Sequence, residues 1–354
     1  MKYYALGGFE QFRCIAAACP DSCCVGWDVV IDDDSAERYR TMDTPLGEKL
    51  RASMHIDEDG DTVFESVDGR CPFLRSDCLC EIQKQCGASA LSVTCARFPR
   101  IVQEYDDFTE RCLSLSCPEG ARITLHSEKL TAPEPQTDDP VLRALIAVRS
   151  RFIALVQDRR IPFGEALCRC LRYAEEIQDR LYEGVLCPET DFDVSFAKVP
   201  PGDATALVRF HGTLERMTEA FGTRCETAHS PRIENRTLFE NLAVYYLYRY
   251  TLQAVEDGDI LSKVLLMLSA VTFAASTDGE PFDTARLYAK EVEHSYDNME
   301  RMVEAFFENP AFFPEAFYAL WGFVPCDSSQ PPTIERRSMV TSTSVISPSP
   351  LTSA

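Results

Sequence analysis

Cysteine is concentrated at the front of this chain to a degree that restricts how it can fold. Sixteen of the 354 residues are cysteine, and eleven of these fall within residues 1–117. The first group follows the spacing Cys-x4-Cys-x3-Cys-Cys between Cys14 and Cys24. Thiols this dense need a partner, and the choices are disulfides, zinc or an iron–sulfur cluster. That choice constrains both the fold and the function.

Whether these cysteines form disulfides or bind metal depends on the cellular compartment. The start of the sequence lacks the apolar stretch and small-residue cleavage site of a secretory signal. The richest apolar run, 260–275, is interrupted by Ser262 and Lys263, so it does not predict a membrane span. We therefore expect a cytoplasmic protein that does not enter the membrane. In a reducing cytoplasm, clustered cysteines bind metal or perform redox chemistry more often than they form bridges.

The net charge of the chain restricts the kinds of partner that it can bind. The formal net charge is −21, whereas binding to nucleic acid or to an anionic membrane surface requires clustered Lys and Arg. We expect neither partner. An acidic surface suits a cationic group such as a lysine side chain, and it also serves simply to keep a protein in solution. The oligomeric state stays open.

The hydrophobic pattern predicts a mainly α fold in three parts. Residues 1–130 form a cysteine-rich, loop-dominated metal domain; residues 141–325 form an α-helical bundle; residues 327–354, rich in Ser, Thr and Pro, form a disordered tail. A polar linker, 131–140, joins the first two. In the first part the pattern predicts small helices, among them one over 35–54 that Pro45 interrupts, short strands at 62–65 and 112–115, and one hairpin. Helices are predicted at 141–156, 162–182, 204–221, 237–255, 260–275 and 284–307.

The thiols have no histidine partner in the sequence. None of the five histidines stands beside a cysteine pair, so any metal site would be all-thiolate, which suits zinc or an iron–sulfur cluster. The Cys-x3-Cys-x2-Cys loop of radical S-adenosylmethionine enzymes fails, because its third position is Gly26. A Gly-x-Gly-x-x-Gly turn, a P-loop and a Gly-x-Ser-x-Gly elbow are also absent from the sequence.

Five blocks of sequence, in order along the chain, carry a resemblance. They read Phe-x-Cys-x4-Cys-Pro-Asp-Ser-Cys-Cys-x-Gly-Trp, Cys-Pro-Phe-Leu, Leu-Cys-x-Ile, Leu-Ser-x-x-Cys-x-x-Phe-Pro-Arg and Leu-Ser-Cys-Pro, at 12–27, 71–74, 79–82, 91–100 and 115–118. This pattern resembles the flagellin lysine-N-methylase family, which is itself similar to a broader group of Cys-x-x-Cys-x-x-Cys-Cys-type metal-binding proteins. The resemblance is dense over about residues 1–125.

The resemblance implies an enzyme that transfers a methyl group from S-adenosylmethionine to lysine side chains of flagellin. It also implies a four-iron, four-sulfur (4Fe-4S) cluster held by cysteines of these blocks, with zinc as the alternative metal. The implied ligand candidates are Cys14, Cys19, Cys23, Cys24, Cys71, Cys80, Cys95 and Cys117. Eight candidates exceed the four thiolates of one cluster, so either two centres exist or about half of these cysteines are structural.

The other cysteines have simpler interpretations. Three lie outside the blocks and are predicted to be buried small hydrophobic residues or spares: Cys78, Cys86 and Cys112. Five more lie at 168, 170, 187, 225 and 326, and we expect ordinary burial for them.

Methyl transfer to lysine requires a neutral amine, although the free side chain has a pKa near 10.4. Asp28 and Asp32 are the candidate proton acceptors, with solvation or helix capping as the alternative role. Trp27 is a candidate to face a sulfonium or ammonium ion, or to shield a metal site. Arg97 and Arg100 are candidates to pair with the carboxylate of the methyl donor, or to neutralise a cluster.

The leading hypothesis is thus a protein-lysine N-methyltransferase with a cysteine-ligated iron–sulfur cluster. The alternative is a non-catalytic, cysteine-rich metal-binding module whose thiolates, with zinc or iron–sulfur, stabilise a surface for a protein partner. A small redox or metal-handling protein is a third hypothesis.

Overall fold

A computed structural model describes residues 2–57, 60–182 and 194–326 of the chain. The helices of this part are α1 (Asp33–Thr41), α2 (Pro45–Ser53), α3 (Glu81–Cys86), α4 (Val93–Arg97), α5 (Pro118–Leu125), α6 (Pro140–Val156), α7 (Phe163–Tyr182), α8 (Thr205–His211), α9 (Glu219–Arg224), α10 (Arg236–Tyr250), α11 (Ala254–Asp257), α12 (Ile260–Ser276), α13 (Pro281–Val292), α14 (Tyr296–Glu308) and α15 (Pro314–Trp321). The strands are β1 (Lys2–Ala5), β2 (Val29–Val30), β3 (Met54–Ile56), β4 (Thr62–Phe64), β5 (Arg100–Glu104), β6 (Phe108–Leu113), β7 (Phe196–Lys198) and β8 (Phe323–Pro325). The prediction of a mainly α protein is confirmed.

Two helices begin at capping residues that the sequence contains. Asp139 accepts a hydrogen bond from the backbone N–H of Leu142 at 2.8 Å and caps α6, whose first residue is Pro140. Thr44 caps α2 in the same way, by accepting from the N–H of Gly47 at 3.0 Å. The predicted interruption at Pro45 is therefore the start of a second helix.

Two predicted helices are each divided into two. The segment 204–221 forms α8 and α9, separated by a turn in which the Thr213 hydroxyl donates to the carbonyl of Phe210 and Thr218 caps the second helix. The segment 284–307 forms α13 and α14, because Ser295 accepts from the N–H of Asn298 and starts a new helix. In both cases a Ser or Thr side chain competes with the helix for backbone hydrogen bonds.

The strands form more than the single hairpin predicted. β5 and β6 make an antiparallel hairpin, and β1 joins it in parallel beside β6. A second sheet has the order β2–β4–β3, and β7 pairs with β8. The parallel partner of β1 lies about a hundred residues away in sequence, so local periodicity could not reveal it.

Two apolar cores of unequal size organise the chain. The large core joins the helices from α6 onward to Leu6, Phe108, Leu115 and Leu125, which belong to the cysteine-rich part. A small core, built from residues of 29–90, collects around Phe64 and Phe73. The first 130 residues are thus packed partly against the helices and partly around a centre of their own.

In the described part of the chain, no helix combines the length and the apolar character needed to cross a membrane. The predicted disordered tail, 327–354, lies outside the described residues.

Candidate functional site

Four thiols of the predicted ligand set line the small core. Cys71 is buried in it, and three partly buried cysteines pack against it: Cys24, Cys80 and Cys95. We call these four the central thiols. They come from four of the five sequence blocks, because an antiparallel contact between 24–26 and 69–71 and the short helices α3 and α4 bring those blocks together.

The central thiols are linked by hydrogen bonds and by charge. The thiols of Cys23, Cys24 and Cys71 form a hydrogen-bonded chain that ends on Cys71. The bond from Cys24 lowers the pKa of Cys71, whereas the bond to Cys24, followed by burial, raises the pKa of Cys23. Burial raises the pKa of Cys95 to about 11, and charge on Cys80 and Cys23 adds to the rise. Cys71 is therefore the one of the four central thiols that ionises most readily.

A second set of thiols lies apart from the small core. The pKa of Cys117 is raised to about 11, first by burial and also by charge on Cys19 and Cys14, and burial and Cys14 likewise raise that of Cys19. Cys117 packs against a separate apolar cluster that contains Phe9 and Phe12. The eight predicted ligands thus fall into two groups, with Cys14, Cys19 and Cys117 in one and the central thiols in the other. Cys23 interacts with both groups, through Cys19 and through Cys24.

The donor set fits an all-thiolate metal centre by its chemistry, since four thiolates are what zinc and iron–sulfur clusters both accept. Across residues 2–57, 60–182 and 194–326, however, no three or more His, Cys, Asp or Glu side chains stand in an arrangement ready to hold a metal ion. The central thiols are close enough to share hydrogen bonds and charge, but they do not have the geometry of a bound site.

The remaining cysteines divide between core and surface. Cys112, Cys168 and Cys170 are buried, as predicted, whereas Cys225 is only partly buried. Burial is the wrong prediction for Cys326, which is exposed beside the last strand; Cys78 and Cys86 are exposed too, so spares rather than buried hydrophobic residues. Cys187 lies outside the described residues.

The two predicted acids have different surroundings. Asp32 caps α1: one carboxylate oxygen accepts from the N–H of Ser35 at 2.9 Å and the other from the N–H of Val93 at 2.8 Å. Burial raises the pKa of Asp32, but these hydrogen bonds lower it by more, so that it lies below its ordinary value. Asp28 is exposed and accepts from the N–H of Ser66 at 2.8 Å. Asp32 therefore has the capping role, and Asp28 is the more accessible of the two carboxylates.

Trp27 lies at the centre of an aromatic and cationic cluster. Its ring stacks on the imidazole of His294 at 5.0 Å between centroids and contacts the ring of Phe98 at 5.9 Å. The ammonium group of Lys290 lies 5.2 Å from the indole centroid, within the range of a cation–π contact. Trp27 thus faces a cation of its own chain, and its predicted contact with a sulfonium or ammonium ion of a ligand stays a prediction.

The two predicted arginines flank Phe98 in sequence, so the contact between Phe98 and Trp27 brings the arginine segment to the indole. Arg97 is the last residue of α4, and Arg100 begins β5 with its guanidinium 4.9 Å from the ring of Phe12. The predicted cofactor-binding residues Trp27, Arg97 and Arg100 therefore belong to two chain segments that are in contact.

Helix α13 brings charged side chains to this region that the sequence did not reveal. Arg286 donates a 2.6 Å hydrogen bond to Asp21, and Lys290 lies 3.2 Å from both oxygens of the same carboxylate. Because Asp21 lies between Cys19 and Cys23, these ion pairs connect the cysteine loop to the helical bundle. Burial raises the pKa of Asp21, but the charges of Lys290 and Arg286 bring it below its ordinary value. The only sequence signal was the spacing of two cations four residues apart on one helix face.

Beyond the end of α13, His294 joins Trp27 to the last cysteine block. Its Nε2 lies 2.9 Å from the hydroxyl of Ser114 and 2.8 Å from that of Ser116. Burial, together with the charges of Arg249 and Lys290, lowers the pKa of His294 to about 3, so the imidazole is neutral at physiological pH. A group this weakly basic orients neighbouring rings rather than taking a proton from an amine.

The residue before it, Glu293, fixes the end of the helix. Its buried carboxylate accepts hydrogen bonds from the hydroxyls of Tyr245, Tyr246 and Tyr250, at 3.1, 2.7 and 3.0 Å. Arg249 pairs with the same carboxylate at 3.1 Å. Four donors on one buried carboxylate hold the position from which His294 extends.

Part of this chain is similar in sequence to known proteins. The chain is 38% identical over 135 residues to the protein named Lysine-N-methylase of Salmonella typhimurium (strain LT2), and equally to that of Salmonella choleraesuis; the match covers 36% of this chain and 33% of each relative. It therefore spans about a third of the length of these relatives. The chain is 36% identical over 121 residues to the Flagellar biosynthetic protein FliU of Salmonella muenchen, covering 31% of this chain and 68% of that protein. No family model matches the chain, and no solved structure does.

A relative that is more than a third identical and is covered over two thirds of its length shares ancestry with this chain. The chain belongs to the flagellin lysine-N-methylase family, together with FliU.

Proposed function

We propose that this protein is a protein-lysine N-methyltransferase that takes a methyl group from S-adenosylmethionine and acts on lysine side chains of flagellin. Its family membership supports methyl transfer to lysine, since its relatives carry the name Lysine-N-methylase. The observation that carries the proposal is the contact of a lysine ammonium group, that of Lys290, with the indole of Trp27 and the carboxylate of Asp21. Side chains beside the cysteine loop already accommodate the chemical group on which a lysine methylase acts.

The acceptor amine must be neutral before it attacks a methyl group, because an ammonium nitrogen has no free electron pair. In water the lysine pKa near 10.4 leaves few neutral molecules at pH 7, so the site must lower it or remove a proton. Asp28 is our candidate proton acceptor, because it adjoins Trp27 in sequence and its carboxylate is exposed. Asp32 is a weaker candidate, because two backbone N–H groups occupy its oxygens.

The methyl donor carries a carboxylate and a sulfonium cation, and the neighbouring residues suit both. Arg97 and Arg100 offer guanidinium groups for the carboxylate, as bidentate partners. Trp27 lies beside this arginine segment, and its indole attracts a cation. The contact of Trp27 with Phe98 supports a single binding region for these three residues.

We further propose that the central thiols, Cys24, Cys71, Cys80 and Cys95, hold a four-iron cluster, with zinc as the alternative metal. Their shared small core and their mutual effects on pKa support this choice among the eight candidates. A bound cluster would cross-link the blocks of the cysteine-rich part, whose own apolar core is small. With a cluster bound, the other residues would keep their proposed roles. Arg97 and Arg100 would bind the methyl donor, and Asp28 would take the proton from the amine.

The test is methylation by anaerobically purified protein. The protein is incubated with S-adenosylmethionine and purified flagellin, and flagellin peptides are examined for lysine mass increments of one methyl group. We expect increments that disappear without the methyl donor and fall sharply for Asp28→Asn. Asp33→Asn, at an exposed acid on α1, is the matched control and should keep full activity. If metal-loaded protein gives no methyl increment on flagellin, the non-catalytic metal-binding module is the better hypothesis.

A further inference from the structure

Lys290 is an unusual residue because it is a lysine buried beside an indole and a carboxylate. Only 1% of it is exposed. Its ammonium group lies 5.2 Å from the Trp27 centroid and 3.2 Å from each oxygen of Asp21. A buried ammonium ion is costly unless its charge is matched, so these partners must supply most of what water would.

The carboxylate of Asp21 does not need Lys290 for its own charge. Arg286 already pairs with it at 2.6 Å, and its guanidinium is also largely buried. Lys290 is thus the second cation on one carboxylate. If its ammonium left, the pair between Asp21 and Arg286 would stay complete.

The backbone beside Lys290 is open in a way that suits a lysine stem. Gly26 has φ +105°, and a methyl group built on it would lie 3.2 Å from Lys290 Cε and 3.8 Å from Nζ. The same added group would lie 3.5 Å from the Cβ of Met217. A side chain at position 26 would fill the space through which the last carbons of Lys290 reach the carboxylate. The bare backbone therefore forms one wall of a narrow cradle.

We propose that Asp21, Gly26 and Trp27 form a binding subsite for an alkylammonium group, which Lys290 occupies in this structure and which the substrate lysine enters in exchange. The identity of that substrate rests on the proposed function; the ammonium-binding property does not. Exchange of one lysine for another keeps the ion pair and the cation–π contact, so its net cost is limited to the rearrangement of Lys290. Methylated amines also fit, since the indole face attracts them without requiring N–H groups.

The first experiment empties the cradle. In Lys290→Ala, millimolar n-butylammonium chloride should raise the melting temperature by about 3 °C or more through binding to the folded state. n-Butanol at the same concentration should not, because it has no charge. In the double variant Asp21→Asn, Lys290→Ala, the effect of butylammonium should vanish. Equal responses to butylammonium and butanol, or an undiminished response in the double variant, would overturn the proposal.

The matched control is Lys263→Ala. Lys263 is also 1% exposed and is paired with a carboxylate, that of Asp257, but it lies in α12. Butylammonium should stabilise this variant much less than Lys290→Ala, because the proposal requires the indole as well as an acid. An equal shift in both variants would mean simple filling of a vacated space.

A second experiment uses the unmodified protein and does not depend on the folding of a variant. Butyltrimethylammonium cannot be acetylated, so acetic anhydride can report on Lys290 in its presence. We expect acetylation of Lys290 to rise several-fold as the quaternary ion displaces it, while that of Lys263 stays low. No change at Lys290 up to saturating ion would contradict the exchange. These measurements need no flagellin or methyl donor, so their failure and a failure of methyl transfer are distinguishable.

Discussion

Arg149 and Glu110 form a buried, two-pronged ion pair between helix α6 and strand β6. The two guanidinium nitrogens Nη1 and Nη2 each donate a 2.7 Å hydrogen bond to a different carboxylate oxygen. Arg149 is 1% exposed and Glu110 0% exposed, so neither charge has access to water. Arg149 is the polar residue that interrupts the apolar stripe of α6. Its pair with Glu110 joins the sheet of the cysteine-rich part to the helices.

Breaking this pair should destabilise the fold strongly. Arg149→Met would leave the charge of Glu110 buried without a partner, and the free energy of unfolding should fall by about 3–5 kcal/mol. The double variant Glu110→Leu, Arg149→Met removes both charges and should recover much of that loss. Urea unfolding followed by circular dichroism measures both. Equal losses in the single and double variants would show that shape, rather than unpaired charge, sets the cost.

Gly26→Ala should be more damaging than its backbone conformation alone requires. The φ of +105° is strained for alanine, at a cost of roughly 1–3 kcal/mol. The new methyl group would also meet Lys290 Cε at 3.2 Å, which adds to the loss.

Gly60→Ala is the control for that prediction. Gly60 has a similar φ, +91°, but an added methyl group there would contact nothing within 4 Å. The difference in unfolding free energy between the two variants therefore measures crowding against Lys290. If Gly60→Ala loses as much stability as Gly26→Ala, the cradle is not tightly filled.

Glu175 should make the stability depend on pH. Burial raises the pKa of this carboxyl from 4.5 to about 7, although the Tyr318 hydroxyl and nearby Arg172 lower it; Glu315 and Asp179 add to the rise. The folded state thus binds a proton between pH 4.5 and 7 that the unfolded state has lost. Stability from this group is fully present below pH 4.5 and is lost as the pH rises through 7.

Glu175→Gln removes this titration. Relative to the parent protein, the variant should gain on the order of 2–3 kcal/mol between pH 5 and pH 8. Denaturant unfolding at a series of pH values tests the slope. Glu176→Gln, at a partly exposed residue paired with Arg180, is the control and should leave the slope unchanged. A parallel pair of pH curves for parent and Glu175→Gln would refute the assignment.

The central thiols should be distinguishable from the other cysteines by metal content. Serine at each of these four positions should lower the iron content and the visible absorbance of anaerobically purified protein at least several-fold. The control is Cys86→Ser, because Cys86 is an exposed cysteine outside the sequence blocks. A colourless protein that carries zinc would favour the alternative metal. Full iron content in every central variant would move the ligands to the other four candidates, Cys14, Cys19, Cys23 and Cys117.

The sequence predicted the elements that depend on local pattern. The stripe of α6, the break in the helical segment at Pro45 and the grouping of cysteines into blocks all follow from neighbouring residues. Local pattern fails where a Ser or Thr side chain caps a new helix inside a segment with continuous helical periodicity. Thr218 and Ser295 divide two predicted helices in this way. A hydrophobic period does not report which hydroxyl will bind the backbone.

Of the candidate site, only the residues near Trp27 were predictable from the sequence. The motif around Trp27 identified the indole, but its cationic partner comes from α13, more than two hundred residues later. Lys290 and His294 have no motif, and a helix with polar residues at a four-residue spacing usually presents them to solvent. Their burial follows from packing against the cysteine loop, which the sequence of α13 alone does not encode.

The contact between Asp21 and Lys290 spans 269 positions of sequence, and this has a consequence for biosynthesis. The residues of the small core lie within 29–90, so that core can form while the ribosome is still adding the helices. The indole of Trp27 and the carboxylate of Asp21 must wait until α13 has emerged. A nascent chain therefore passes through a stage in which the small core has formed but the amine cradle is still open, so the metal that we propose for the central thiols can be inserted before the cradle closes.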